Sequence, residues 1–263
     1  MNVTLHLGDC AQIMRTFDDG CIDLTVTSPP YDNLRKYNGY SFDFQAIARE
    51  LYRVTKPGGV VVWVVGDATV NGSETGTSFR QALYFKECGF NLHDTMIYRK
   101  SNFMPMTHRR YEQEFEFMFV LAKGNPVVFN PIMRKNATAG KEYSTFRPHD
   151  YDGHAMRNNR DETYVTRKQS YHGNIFDYVI GGGQEQSNHP APFPEALARD
   201  HILSWSNPGD LVHDCFLGSG TTGKMAMKLG RNFVGEEISA EYMEIARRRI
   251  ELAQAQPLLF EAI

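Results

Sequence analysis

The chain has 263 residues, of which 41% are hydrophobic, 12% aromatic and 22% charged. These values fit one large α/β domain or two small ones, and they exclude disordered, collagenous and coiled-coil proteins. The net charge is −3 at pH 7, but the segment from Arg134 to Lys168 holds eight Lys/Arg against five Asp/Glu. Because local fields steer polyanions, a nucleic-acid partner stays open.

Three simple features bear on the cellular compartment. The longest apolar run, Val60–Val65, is far shorter than the roughly 20 residues that cross a bilayer. The first ten residues have neither a basic flank nor an apolar core, so no secretory signal is expected. The four cysteines lie far apart and form no CxxC pair, which predicts free thiols in a cytoplasmic protein and no metal site.

The first half of the chain alternates between strand and helix patterns. A β-branched run predicts a strand over Ile22–Thr27 that stops at Ser28-Pro29-Pro30. Apolar residues at helical spacing predict a helix over Phe44–Val54, which ends at a Lys-Pro-Gly-Gly cluster. The same reasoning predicts a strand at Val60–Val65, a helix at Thr77–Cys88 and a strand at Glu114–Leu121.

From Lys123 to about Gly183 the chain is polar and shows little periodicity, which is typical of a functional or mobile segment. The α/β pattern then resumes with these elements: helix Phe193–Trp205, strand Leu211–Cys215, helix Thr221–Leu229, strand Phe233–Glu237 and helix Ala240–Gln254. The predicted fold class is therefore α/β, a doubly wound and mostly parallel sheet. Residues 1–124 and 184–263 form the main domain, and residues 125–183 form a polar insert.

A glycine-rich turn follows the predicted strand Leu211–Cys215. Gly218 and Gly220 would let backbone amides approach a ligand, and Thr221 or Thr222 would cap the next helix. Open α/β sheets bind cofactors at such turns. A plain strand-to-helix turn is the alternative.

Two acids close the following strand, and Glu237 stands 17 residues after Gly220. A carboxylate there can accept both hydroxyls of a ribose, which predicts an adenosyl-type cofactor. Glu237 points past the strand end better than Glu236, although either could serve, and a solvated acidic turn is the alternative. The stretch Gly218–Lys224 also matches most of the phosphate-binding GxxxxGK[ST] pattern, but Met225 stands where a hydroxyl must bind magnesium. A nucleotide triphosphatase is therefore disfavoured.

The most informative stretch is Thr27-Ser-Pro-Pro-Tyr31, at the end of a predicted buried strand. Two prolines fix the backbone and carry no N–H, so nearby carbonyls can face a ligand. The Ser28 hydroxyl and the Tyr31 ring complete a polar cradle under a stacking platform. This arrangement suits a planar group that carries an NH₂, and a simple strand-terminating turn is the alternative.

These stretches resemble the motifs of the S-adenosylmethionine-dependent DNA amino-methyltransferases, β subgroup. Thr27–Tyr31 is similar to the family's catalytic motif [DNS]-P-P-[YFW], and Asp214–Thr222 is similar to its cofactor motif D-x-F-x-G-S-G-T-T. His189–Pro194 resembles the H-P-x-x-x-P segment that precedes the cofactor motif, with Phe193 where Lys is frequent. Leu7–Cys10 and Arg53–Gly59 fit two further stretches, and the order of the motifs is that of the β subgroup.

The resemblance implies a seven-stranded-type, Rossmann-like methyltransferase sheet with a target-recognition insert. It implies transfer of a methyl group from S-adenosylmethionine to the exocyclic amino group of a flipped-out adenine (N6) or cytosine (N4) in duplex DNA. The catalytic residues would be Ser28, Pro29, Pro30 and Tyr31. The cofactor-binding residues would be Asp9, Asp214, Phe216, Gly218, Ser219, Gly220, Thr221, Glu237, His189 and Pro190. Asp9 would contact the cofactor's adenine, although it could also be only a polar turn residue.

Basic side chains in and near the insert are candidates for DNA contacts. They are Arg35, Lys36, Arg134, Lys135, Arg147, Arg157, Arg160, Arg167 and Lys168, with Arg109 and Arg110 as weaker candidates. Asn158, Asn159 and Gln169 could read adenine, although each of these residues could also be a solvated loop residue. The partners expected are double-stranded DNA, a second copy of the chain and a cognate restriction endonuclease. The alternatives are methylation of RNA or of a protein amide NH₂, or a non-enzymatic nucleotide-binding module.

Overall fold

The computed structural model describes residues 1–30, 43–102, 110–144, 163–179 and 194–256. The chain divides into two compact units. The larger unit comprises Met1–Asn130 and Asn174–Ile263, and the smaller comprises Pro131–Gly173. Within the described ranges, no helix is long and apolar enough to cross a membrane.

The elements are numbered in chain order. The helices are α1 (Cys10–Met14), α2 (Phe44–Val54), α3 (Thr77–Glu87), α4 (Glu195–Trp205), α5 (Thr221–Lys228) and α6 (Ala240–Gln254). The strands are β1 (Val3–Leu7), β2 (Ile22–Thr27), β3 (Thr55–Val65), β4 (Thr69–Val70), β5 (Ser73–Glu74), β6 (Asn91–Lys100), β7 (Phe115–Ala122), β8 (Met133–Lys135), β9 (Glu142–Ser144), β10 (Thr163–Val165), β11 (Gln169–Tyr171), β12 (Ile175–Tyr178), β13 (Leu211–Asp214) and β14 (Asn232–Glu237).

An eight-stranded sheet organises the larger unit, in the order β1-β14-β13-β2-β3-β7-β6-β12. The first five strands run parallel, and β7 is antiparallel to both β3 and β6. The predicted α/β class with a mostly parallel sheet is confirmed.

The eighth strand, β12, comes from the segment predicted as insert and pairs in parallel with β6. Four residues are too few to show a period, so no local pattern indicates this strand. Tertiary contacts hold it: Tyr178 is buried and donates its hydroxyl to Asp200 Oδ2 at 3.0 Å. The larger unit therefore resumes at Asn174 rather than at residue 184, and the role of the smaller unit in target recognition stays a prediction.

Strand β3 is buried on both faces, as expected for a central parallel strand with a continuous apolar run. The even-numbered valines of Val60–Val65 belong to a core cluster shared with α4, α5 and α6. Val61, Trp63 and Val65 belong to a second cluster shared with α1, α2 and α3. Because both faces are covered, a ligand can reach the sheet only at an edge where the strands end.

The parallel strands β1, β14, β13 and β2 all end at the same edge of the sheet. Four of the motifs singled out in the sequence lie at the ends of these strands: Gly8-Asp9, the two acids that end β14, the glycine loop and Ser28-Pro29-Pro30. Open α/β sheets bind their ligands beyond the carboxyl ends of the strands.

The glycine loop between β13 and α5 packs directly on α6. Gly220 is the N-cap of α5 with φ +78°, and a Cβ there would lie 2.9 Å from both Cα and Cβ of Ala246. The predicted capping by Thr221 or Thr222 is wrong, because α5 has no side-chain cap. The hydroxyl of Thr222 instead donates to the Val26 carbonyl at 3.2 Å. Glycine is required at 220 by helix packing as well as by φ.

Gly220→Ala should therefore destabilise the protein more than a matched glycine substitution. Gly124 has a similar φ of +84°, but a Cβ added at Gly124 would meet nothing within 4 Å, so Gly124→Ala introduces backbone strain alone. We expect Gly220→Ala to lower the free energy of unfolding by about 1–3 kcal/mol more than Gly124→Ala. Urea unfolding measures both values, and equal losses would contradict the packing argument.

Candidate functional site

The carboxyl end of β2 is tied to the carboxyl end of β13. The two strands pair in register at His213 and Thr25. The hydroxyl of Thr27 donates to Asp214 Oδ1 at 2.7 Å. Since Ser28 is the next residue after Thr27, the Ser-Pro-Pro turn begins beside the glycine loop.

Asp214 is almost fully buried, with 1% of its surface exposed. Its Oδ1 also accepts the backbone N–H of Phe216 at 3.1 Å. Burial raises the pKa of this carboxyl to about 6, and the hydrogen bonds, that from Thr27 foremost, oppose the rise. The described contacts of Asp214 are with Thr27 on β2, Phe216 in its own loop and Thr222 on α5, and its predicted cofactor-binding role stays a prediction.

The two acids at the end of β14 have separate environments. Glu236 is fully buried and its Oε2 lies 2.7 Å from His213 Nε2, while His213 Nδ1 lies 3.0 Å from the Thr25 hydroxyl. Glu237 is partly exposed and accepts the backbone N–H groups of Gly218 and Ser239, each at 2.8 Å. Burial raises the pKa of Glu237, and these backbone hydrogen bonds oppose the rise. Of the two candidates, only Glu237 faces the open edge of the sheet.

Glu237 keeps acceptor capacity after both bonds, because a carboxylate offers about four lone-pair sites. Gly218 N–H, which was expected to approach a ligand, is already bonded to Glu237. The loop and the carboxylate therefore form one structure, and the carboxylate is its acceptor group.

Asp9 lies at the same edge. The backbone N–H of Gly8 donates to the Glu237 carbonyl at 2.9 Å, which fixes the end of β1 beside the end of β14. The half-buried Asp9 is the N-cap of α1 and accepts the Gln12 N–H at 2.9 Å. Its capping role explains an Asp at this position, and a contact with a cofactor's adenine stays a prediction.

Phe216 of the glycine loop packs against Trp63 of β3. Phe216 is half-buried and its ring centroid lies 6.1 Å from that of Trp63 at 69°. Trp63 is opposite Thr27 in the sheet, and its indole N–H donates to Gln81 at 2.8 Å. The Phe216 ring therefore lies near the end of β2, where the predicted Ser28–Tyr31 cradle begins.

Sequence reasoning missed the residues that hold the outer side of the glycine loop. Arg249 of α6 donates to the carbonyl and the hydroxyl of Ser219, at 2.7 and 3.0 Å, and lies 3.5 Å from the hydroxyl of Thr221. Its other terminal nitrogen donates to Glu195 at 3.1 Å, and Lys224 pairs with the same carboxylate oxygen at 2.8 Å. Arg249 lies three residues after Ala246 on the same face of α6. Its contact with the glycine loop follows from the packing of Ala246 on Gly220, which no local sequence pattern indicates.

Several predicted site residues lie outside the described ranges, so their positions stay predictions. They are Tyr31, Arg35, Lys36, Arg109, Arg147, Arg157, Asn158, Asn159, Arg160, His189, Pro190 and Phe193. Ser28 and Pro30 are half-buried and Pro29 is buried.

The smaller unit is built from two antiparallel pairs, β8 with β11 and β9 with β10. Lys135 lies opposite Gln169, and both line an open cleft together with Lys168 and Asn136. The cations among the described residues of this unit are all exposed: Arg134, Lys135, Lys141, Arg167 and Lys168. The described part of this unit contains a single acid, Glu142.

A second basic stretch, from Arg99 to Tyr111, holds four Lys/Arg and no Asp/Glu, but its described cations are paired with acids from other segments. Arg99 pairs with Asp177 at 2.5 Å, Lys100 with Glu116 at 2.7 Å, and Arg110 lies 3.7 Å from Glu74. The three described cations of this stretch are therefore matched by acids, which weakens Arg110 as a candidate for a phosphate contact.

All four cysteines are free thiols. In the ranges that the structure covers, no group of three or more His, Cys, Asp or Glu side chains could hold a metal ion.

Comparison with known proteins gives consistent matches. Residues 22–248 match the sequence profile of a family described as DNA methylase. The chain is 51% identical over 255 residues to the orphan methyltransferase M.BamHII of Bacillus amyloliquefaciens, covering 94% of this chain and 91% of that protein. The PvuII DNA methyltransferase (cytosine-N4-specific) aligns with a TM-score of 0.70 at 20% identity, covering 100% of this chain and 96% of that one. A putative DNA modification methylase from Thermus thermophilus, complexed with S-adenosyl-L-methionine, aligns with a TM-score of 0.65 at 23% identity, covering 97% of each chain.

Proposed function

Because this chain belongs to the S-adenosylmethionine-dependent DNA amino-methyltransferases, we propose that its Ser28–Tyr31 turn holds the exocyclic amino group of the target base. The base is an adenine (N6) or a cytosine (N4) flipped out of duplex DNA. The observation that carries the proposal is the hydrogen bond between Thr27 and Asp214, since it joins the catalytic turn to the cofactor loop.

The residues at the sheet edge fit the cofactor of the family. Glu237 is a partly buried carboxylate with remaining acceptor capacity, which suits the two hydroxyls of a ribose. Asp9 and the Phe216 ring lie at the same edge and suit an adenine. The bound cofactor supplies an electrophilic methyl group on a sulfonium. The glycine loop and Glu237 orient it, and the buried sheet excludes water from one side.

The catalytic turn acts on the amine by hydrogen bonding. The lone pair of an exocyclic amine is delocalised into the ring, so the nitrogen is a poor nucleophile. The Ser28 hydroxyl oxygen and the Pro29 carbonyl accept hydrogen bonds from the NH₂ group, favour a tetrahedral nitrogen and stabilise its developing positive charge. The nitrogen would form its bond to the methyl group as the S–CH₃ bond breaks, which would leave the cofactor as a neutral thioether, and the methylated nitrogen would then release its extra proton to solvent water. No covalent bond to the enzyme is required.

Base flipping belongs to this proposal because the amine cannot be reached inside the duplex. Extrusion costs a few kcal/mol. Stacking on the Tyr31 ring would offset roughly 1–3 kcal/mol of that cost.

The alternative of a nucleotide-binding module is disfavoured by the position of Lys224. Its ammonium lies 2.8 Å from Glu195, and the side chain is 12% exposed, so its charge is already paired with a carboxylate. Methylation of RNA or of a protein amide is disfavoured by the sequence order, because the catalytic turn precedes the cofactor loop and begins with Ser28.

We assign DNA binding to the exposed cations of the smaller unit, among them Lys135 and Lys168, with Gln169 available to read a base edge. This assignment makes the smaller unit the target-recognition insert. A homodimer and a cytoplasmic location are proposed from the family resemblance. A cognate restriction endonuclease is a weaker proposal, since the relative M.BamHII is named an orphan methyltransferase.

Ser28→Ala should lower the rate of methyl transfer by about 10²–10³-fold, because one acceptor for the developing charge is lost. The affinity of Ser28→Ala for S-adenosylmethionine should stay at the wild-type value. The control is Ser73→Ala, a substitution on the exposed strand β5, which should change neither the rate of methyl transfer nor this affinity. Mass spectrometry of nucleosides from treated DNA measures the product and identifies the methylated base. Full activity of Ser28→Ala, or methylation of RNA alone by the wild-type protein, would refute the proposal.

The double variant Lys135→Gln/Lys168→Gln should weaken DNA binding and reduce its salt dependence. Because two phosphate contacts are lost, the negative slope of log K against log salt concentration should become shallower by about 1.8. Binding of S-adenosylmethionine should not change, and Lys86→Gln on α3 is the matched control for loss of a surface charge. Titrations at several salt concentrations measure the slope, and an unchanged slope would contradict a role of this cleft in DNA binding.

A further inference from the structure

We propose that Arg249 is a positioning residue that holds the glycine loop in the shape that accepts the cofactor, with Glu195 orienting its guanidinium. The inference rests on the proposed cofactor site. Arg249 belongs to none of the motifs that carry the family resemblance, and its role comes from its contacts alone.

The first contacts are those with Ser219. One terminal nitrogen of Arg249 donates to both the carbonyl and the hydroxyl of Ser219, at 2.7 and 3.0 Å. Ser219 is 3% exposed and the Arg249 side chain 12%. Hydrogen bonds from a charged donor are stronger than neutral ones, and they are little screened where water is excluded.

The guanidinium is itself held in place. Glu195, the first residue of α4, accepts from Arg249 at 3.1 Å and from Lys224 at 2.8 Å through one carboxylate oxygen. The planar guanidinium can bond the loop with one nitrogen and Glu195 with the other, which an ammonium cannot do with the same geometry. The three side chains therefore link α4, α5 and α6 around the loop.

The loop depends on this link because its own backbone is permissive. Gly218 and Gly220 have φ of +51° and +78°, and glycine leaves such conformations readily. Glu237 accepts the Gly218 N–H, and Arg249 donates to the carbonyl of the next residue, Ser219. Without Arg249, the Ser219 carbonyl and hydroxyl lose their charged donor, and the glycine loop is held less tightly beside Glu237.

The catalytic turn is held by a different contact, that between Thr27 and Asp214. Loss of Arg249 should therefore weaken cofactor binding and leave the methyl-transfer step at saturating cofactor nearly unchanged. If Arg249 were only structural, its loss would lower thermal stability but would not weaken cofactor affinity while leaving the rate of methyl transfer unchanged.

The test compares Arg249→Gln, Arg249→Lys and Glu195→Gln with the control Arg248→Gln, an exposed arginine one residue away on α6. Calorimetry measures the Kd for S-adenosylmethionine, well below each variant's melting temperature. Single-turnover assays at saturating cofactor measure the rate. We expect Arg249→Gln to raise the Kd about tenfold or more, with smaller rises for Arg249→Lys and Glu195→Gln. Arg248→Gln should match the wild type, and all rates at saturation should stay within about twofold of it.

An unchanged Kd for S-adenosylmethionine in Arg249→Gln would overturn the proposal, whether or not the rate at saturating cofactor falls. If Arg249→Gln does not fold, an unchanged Kd in both Arg249→Lys and Glu195→Gln would overturn it equally. Wild-type protein that binds S-adenosylmethionine without methylating DNA would contradict the proposed function, while the comparison of Kd values would still decide the role of Arg249.

Discussion

The hydrogen bond from the Thr27 hydroxyl to the buried Asp214 carboxylate is the constraint on which the site depends. Parallel pairing of β2 with β13 brings two strand ends to one edge, but pairing alone leaves the turns beyond them free to diverge. The Thr27–Asp214 bond lies at the last residue of each strand. The Ser-Pro-Pro turn and the glycine loop therefore start from one fixed point, which burial protects from competing water.

The three acids at the ends of β13 and β14 differ in burial and in the contacts that they make. Glu236 is fully buried with His213, and Asp214 with Thr27, so both bind neighbouring strands together. Glu237 is the partly exposed carboxylate, and it combines two backbone contacts with unused acceptor capacity. Arg249 donates to the Ser219 carbonyl of the same loop. Two side chains from different elements thus hold the glycine loop at adjacent residues, Gly218 and Ser219.

The sequence predicted the parts of the structure that local patterns determine. The bounds of β2, α2 and α6 match the predictions, because β-branched runs, helical spacing and breaker residues specify them. It could not predict β12, whose four residues are held by tertiary contacts. It assigned capping to Thr221 or Thr222, but α5 has no side-chain cap, and the Thr222 hydroxyl bonds the Val26 carbonyl of a strand 196 residues away in sequence. Arg249 was missed for the same reason, since only packing of α6 against Gly220 brings it to the loop.

A double-mutant cycle of Thr27→Val and Asp214→Asn tests the central claim most directly. Methyl transfer to DNA is measured under single-turnover conditions at saturating S-adenosylmethionine for the wild type, both single variants and the double variant. If one hydrogen bond sets the distance between the catalytic turn and the cofactor loop, the losses are not additive, and the coupling energy is about 1–2 kcal/mol. Losses that add in full would show that the two motifs are held independently and would contradict the account.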